Sequence, residues 1–360
     1  MQKSGDTIVP PVVGTLPGEG SKGSSSLNNM SNMSPLAQPS ADMAYALFDK
    51  GGAPLSIFAD NKYLYLLRST ESADSRADAE NRGTDRYGGA IEVYDVENGS
   101  LAREIRNKDI GMCSAFTVKE SNLYAFNAKT GRISLFSSSG SFLAAYDTKL
   151  SGVYADKIAV ADNRSIVLKI RENTGEAAKI AVYNPDNGSV SKYGADRFYD
   201  SPSGGITEIS DFCLFGEKSI LVCLSCGRLS LFNIEKAVSE KSCVFPMTAG
   251  FMEYDGNVLY YAFDGPVSLS PGNTANFSNA DSRRQTGRML INGGFNWPQS
   301  EQELDAWLLN GLQMPVADEN GRHYGMARNT KYLFFLDFIP AVQKGGKFSK
   351  PGFKVYRITK

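Results

Sequence analysis

Five cysteines and one histidine set the limits on the chemistry this 360-residue chain can carry. Cys213, Cys223, Cys226 and Cys243 crowd into one stretch, and Cys113 stands apart. Thiolates at the C-x-x-C spacing of Cys223 and Cys226 can hold zinc when a second pair completes the tetrahedron. No second C-x-x-C exists. If Cys223 lies in a strand, Cys226 faces the other way unless a turn intervenes, so the four read as small buried apolar residues. A disulfide between neighbouring strands is the alternative in an exported protein, with Cys113 unpaired. His323, in Asn320-Gly-Arg-His-Tyr324, reads as a surface or turn residue. A Ser-His-Asp relay would have to use it, and no G-x-S-x-G turn offers a nucleophile. The acidic turns Asp186-Asn-Gly188, Asp255-Gly-Asn257 and Asp318-Glu-Asn-Gly321 lack the twelve-residue calcium loop. They have the composition that tight hairpins require. No glycine-rich phosphate loop is placed between a strand and a helix. The expectation is therefore no catalytic residue, no metal and no cofactor.

Charge points the same way. Thirty-eight basic and 39 acidic residues leave a formal net charge of −1, which gives no pull toward nucleic acid or an anionic membrane. No apolar run is long enough to span a bilayer. No charged and apolar leader opens the sequence. Met1 is then either the initiator of a cytoplasmic protein or the residue that follows a removed signal or lipid-attachment segment.

The elements that must position any site are short strands. The tetrads Ile91-Glu-Val-Tyr94, Ile133-Ser-Leu-Phe136, Ile180-Ala-Val-Tyr183, Leu229-Ser-Leu-Phe232 and Phe353-Lys-Val-Tyr356 each close a strand-like run. Several lead into turns such as Asp95-Val-Glu-Asn-Gly99 and Asn184-Pro-Asp-Asn-Gly188. A period of about 40–50 residues built of strands and turns is that of a β-propeller, one four-stranded blade per repeat. The 20 Phe and 17 Tyr suit pleated, half-buried surfaces, and with only two Trp the WD-repeat reading has no support. The expected fold is an all-β, six-bladed β-propeller over residues 43–360, with seven blades as the alternative. After Tyr356 only four residues remain, so the last blade lacks its outer strand. Met43-Ala-Tyr-Ala-Leu-Phe48 can supply it from the other terminus and close the ring. Residues 1–42, rich in Ser, Gly, Pro and Asn, read as a flexible tether.

Two insertions interrupt the period. Residues 69–89 form a mixed-charge loop, and residues 265–320 begin as a Pro/Ser/Asn loop. In the second, Ser300 followed by Glu303 is a capping-box pattern, and Leu304, Trp307, Leu308 and Leu312 recur at helical spacing. One amphipathic helix is expected there. The candidate binding residues are Asp74, Arg76, Arg82, Asp85, Arg86 and Tyr87 in the first insertion and Trp297 and Trp307 in the second.

Leu123-Tyr-Ala-Phe-Asn-Ala-Lys-Thr-Gly131-Arg-Ile133 resembles the repeat of quinoprotein-like propellers. Across residues 43–360 the blade count and loose spacing resemble the TolB-like six-bladed propellers of bacterial envelope proteins. The tryptophans that lock quinoprotein blades together are missing, and nothing matches a quinone site. The resemblance implies recognition through loops at one mouth of the central channel. The expected function is a non-enzymatic binding or assembly module of the bacterial envelope, exported and held on the tether, with a lipid anchor upstream and a protein or glycan partner. The alternatives are a channel-mouth hydrolase or lyase using carboxylates and Tyr, a structural subunit of a larger assembly, and a cytoplasmic location.

Overall fold

The computed structural model describes residues 41–46, 54–69, 88–173, 175–199, 207–245, 249–262, 286–291, 297–300, 302–304, 308–309, 322–339, 343–344, 347–348 and 352–360. The account that follows is confined to them. The expected tether thus lies outside the described residues, except that β1 (Ala41–Ala46) begins two residues inside it.

The remaining strands follow as antiparallel meanders. Unit one is β2 (Pro54–Ala59), β3 (Tyr63–Ser69), β4 (Gly88–Asp95) and β5 (Leu101–Ile105). Unit two is β6 (Cys113–Lys119), β7 (Asn122–Asn127), β8 (Arg132–Phe136) and β9 (Phe142–Asp147). Unit three is β10 (Tyr154–Val160), β11 (Ile166–Arg171), β12 (Lys179–Asn184) and β13 (Ser189–Tyr193). Unit four is β14 (Ile209–Phe215), β15 (Ser219–Leu224), β16 (Arg228–Asn233) and β17 (Val238–Val244). Unit five is β18 (Phe251–Tyr254), β19 (Val258–Ala262), β20 (Thr286–Leu290) and β21 (Leu308–Leu309). The last unit takes β22 (Arg322–Arg328), β23 (Tyr332–Ile339) and, past the two-residue ladder β24 (Gln343–Lys344) and β25 (Lys347–Phe348), β26 (Gly352–Thr359). Its fourth strand is β1, so the order is β1-β26-β23-β22. Tyr45 stands opposite Val355 in that ladder, which is the expected closure of the ring by the N-terminal strand. Units one and two join in one sheet only through the pair Gly88 and Cys113.

Each tetrad lies within the third strand of its unit, and the two-residue side-chain period of a strand explains its composition. Positions one and three point to the following unit, as Ile133 does toward Ile158 and Leu168 of unit three. Position four points back, as Phe136 does toward Tyr65 and Leu67 of unit one. Third strands are therefore apolar on both faces. Six buried clusters result, one between each pair of successive units, and the cluster of Leu64, Leu66 and Tyr94 with Phe334, Leu336 and Val355 joins the last unit to the first. With first strands innermost and outer strands such as β17 mostly exposed, this all-β arrangement is a β-propeller.

The turns work as their residues dictate. Gly99 donates its N–H to Asp95 O at 2.9 Å with φ +70°, while Asp95 Oδ1 accepts from the amides of Glu97 and Asn98, each at 3.0 Å. Gly131 has φ +67°, and a Cβ there would stand 2.4 Å from the Ser151 nitrogen, so both backbone and packing require glycine.

Three expectations need correction. His323 is neither a surface nor a turn residue: it lies in β22, is 3% exposed, and its Nδ1 is hydrogen-bonded to Asp337 Oδ1 at 2.7 Å. The register of β22 on β23 sets the two opposite each other. The amphipathic helix does not extend through Leu308. Helix is present at residues 302–304, where the Glu303 amide donates to Ser300 Oγ at 3.3 Å, but Leu308 and Leu309 pair with Met289 and Arg288 as the outer strand of unit five. The ladder of the sheet overrides the helical period. Finally, of the four cysteines read as buried, Cys226 is exposed in a turn at residues 225–227, while Cys213, Cys223 and Cys243 are buried as expected and all five cysteines are free, so the alternative of a disulfide is not realised.

Candidate functional site: the axial cavity

The first strands of all six units line one cavity of about 520 Å³. Its charged wall comes from residues that break the apolar alternation of those strands. Asp156 and Lys157 lie in β10, Asp211 in β14, Glu253 in β18 and Arg328 in β22. Lys169 and Arg171 reach in from β11. With Asp60 and Lys119 at strand ends, four carboxylates face five cations, so the wall is close to neutral.

Most of these groups tie units together. Asp211 Oδ2 accepts from Lys157 Nζ of unit three at 2.9 Å and from the Met252 amide of unit five at 2.7 Å. Lys157 also donates to Met252 O at 3.0 Å. One carboxylate, 3% exposed, thereby spans three units, and its charge is met by a cation and an amide as burial requires. Burial works against the Lys157 ammonium, but Asp211, then Glu253, outweigh it and raise its pKa. Lys169 donates to Ser210 O at 2.6 Å, and Arg171 Nη2 stands 3.1 Å from Asp156 Oδ2. The pair of Glu253 and Arg328 is looser, with Nε 3.8 Å from Oε2. Desolvation raises the pKa of Glu253 in spite of the nearby Lys157 and Arg328.

Burial raises the pKa of two groups in the wall that could act as nucleophiles, Cys213 and Tyr254. Burial pushes the Cys213 thiol well above its ordinary range, so it stays protonated. Tyr254 is pushed up to about 12, chiefly by burial, and its hydroxyl donates to Gly256 O at 2.5 Å and lies 3.0 Å from Ile291 O. Among the described residues no His, Cys, Asp or Glu group of three or more is gathered as a metal site. The cavity can hold a ligand by charge and hydrogen bonds, and the raised pKa of Glu253 suits it to carry a proton.

Of the candidate binding residues, Asp74, Arg76, Arg82, Asp85, Arg86, Tyr87 and Trp307 lie outside the described residues. Trp297 is 4% exposed and packs with Phe215, ring centroids 6.3 Å apart, in the core between units four and five. Sequence reasoning passed over Lys157, Asp211, Glu253 and Arg328. Their signal is a charge inside an otherwise apolar first strand, visible once the first strands of the repeats are aligned.

No protein-family model matches the chain, and no curated protein sequence does. Solved structures similar to it include a hydrazine synthase of Kuenenia stuttgartiensis, at 15% identity and a TM-score of 0.45, covering 81% of this chain and 77% of that one. U3-55K is similar at 10% identity and a TM-score of 0.47, over 85% and 80% of the two chains. The β-propeller domain of Swd1 from Myceliophteria thermophila is similar at 10% identity and a TM-score of 0.49, over 86% and 88%. No helix among the described residues is long and apolar enough to cross a membrane.

Proposed function

We propose that this chain is a non-enzymatic binding or assembly module of the bacterial cell envelope, which uses a rigid ring to present loops to a protein or glycan partner. The observation that carries this reading is the distribution of the connections between second and third strands. In units two, three and four these are residues 128–131, 172–178 and 225–227. In units five, six and one, which are consecutive around the ring, they are residues 263–285, 340–351 and 70–87. Antiparallel alternation makes all of them leave from the same end of the ring. Long connections gathered on one sector of a rigid scaffold are where recognition is usually built.

Export on a tether, with a lipid anchor upstream, fits the Ser/Gly/Pro/Asn composition of residues 1–42 and would keep the ring near a surface. Replacing residues 70–87 or 263–285 by a short Asn-Gly turn should release a partner captured by the full chain, with the far-UV circular dichroism unchanged. Shortening residues 172–178 should not. Retention of every partner by both shortened chains defeats the reading. Fractionation of the source cells, with the codons upstream of Met1, tests the envelope assignment.

A second reading, a hydrolase or lyase at the channel, is favoured by Glu253, whose raised pKa suits a proton donor. Turnover on a glycan and ester panel that disappears in Glu253→Gln would establish it.

A further inference from the structure

Among the charged pairs of the axial cavity that of Glu253 and Arg328 is the longest, and Asp156 Oδ2 is the other buried polar atom of the lining that no hydrogen bond satisfies. Asp211 is hydrogen-bonded by Lys157 and the Met252 amide, and Lys169 donates to Ser210 O. Arg328 Nε, by contrast, stands 3.8 Å from Glu253 Oε2, beyond hydrogen-bond reach. Among the described residues the Arg328 guanidinium donates no hydrogen bond, and its Nε is buried without a partner. Glu253 likewise accepts none from a described residue. Both side chains stay partly open, 29% and 25%, and both line the cavity. Each offsets the other's charge and leaves hydrogen-bonding capacity facing the cavity. Such a pair is complementary to a molecule that carries both an acceptor anion and a donor cation.

We propose that the axial cavity binds a small zwitterion of the α-amino acid class, its carboxylate held by the fork of Arg328 and its ammonium by Glu253. A planar guanidinium matches a carboxylate with two parallel hydrogen bonds, and a carboxylate accepts readily from an ammonium. Charge balance selects the zwitterion. The wall is already close to neutral, so a simple anion would face Glu253 unpaired, and a simple cation would face Arg328. At about 520 Å³ the cavity is within the size range of small-molecule sites, and Leu55 and Phe58 in its lining offer apolar surface to a ligand side chain. The ligand site is independent of the partner-binding loops.

Isothermal titration of the full chain at neutral pH with each of the common L-amino acids, and with acetate and methylammonium at matched ionic strength, tests this. At least one amino acid should bind about tenfold or more tightly than either single-charge probe. Glu253→Gln and Arg328→Gln should each weaken that binding about tenfold or more. The proposal falls if no amino acid binds the wild type up to ~10 mM, if acetate binds as well as the zwitterion, or if both variants keep the affinity. Where a variant fails to fold, the wild-type comparison decides by itself: a tenfold preference for the zwitterion supports the site, and equal binding of acetate removes it.

Discussion

Burial in the channel raises the pKa of Glu253 above its ordinary 4.5, against the pull of Lys157 and Arg328. The side chain is a quarter open, but to a cavity walled by six strands, which hydrates an anion poorly. The sign of the effect on stability follows. An acid whose folded pKa is raised contributes stability that is fully present below its unfolded pKa and is lost as pH rises through the folded value. Wild-type protein should therefore lose stability through this group as pH climbs from about 4.5, and Glu253→Gln should not. Thermal melts of the two proteins at several pH values should show the variant gaining on the wild type by a few degrees as pH increases. The absolute offset includes the loss of a partner for Arg328, so the slope carries the test. A difference that stays constant, or that shifts in favour of the wild type with rising pH, would mean that Glu253 is well solvated.

At the scale of elements, β1 is the strand whose pairing is most remote in sequence, since it completes a unit whose other strands lie near the opposite terminus. A chain beginning at residue 47 should expose the backbone edge of β26 over Gly352–Thr359 and gain a tendency to pair with other molecules. Size-exclusion chromatography with light scattering should show oligomers or aggregates, and the melting temperature should fall by several degrees. A monodisperse monomer with an unchanged melt would show that the closing strand contributes little. This pairing was legible in the sequence because Phe353-Lys-Val-Tyr356 is followed by too few residues for another strand, while Met43-Ala-Tyr-Ala lies unassigned at the start. The tetrads were legible because a third strand between two neighbours must be apolar at positions one, three and four. Other features were hidden for a physical reason of the same kind. His323 meets Asp337 only through the register of β22 on β23, and Leu308 becomes a strand residue only because β20 needs an outer neighbour. The channel charges come together only when six first strands converge, so no local window contains them.

For the ring as a whole, six inter-unit clusters of similar kind leave no physically privileged starting point. In the last unit the third and fourth strands belong to opposite ends of the chain. Because β1 runs antiparallel to β26 with Ala41 opposite Ile358, a short Gly/Asn linker from Lys360 to Ala41 would make the hairpin that units one to four already have between third and fourth strands. New ends can then be opened in the turn between Asn184 and Ser189, where exposed residues separate β12 from β13. The cut removes the ion pair of Arg164 with Asp186, whose side chains are 68% and 63% exposed, and an exposed pair of this kind contributes little. Unit three would then be closed by an N-terminal strand, as the last unit is in the native order. This circular permutant, without residues 1–40, should fold as a monomer with the far-UV circular dichroism of the native chain and a melting temperature within about 5 °C of it. A permutant that aggregates, or melts more than about 15 °C lower, would show that stability is concentrated at the native closure and is not shared around the ring.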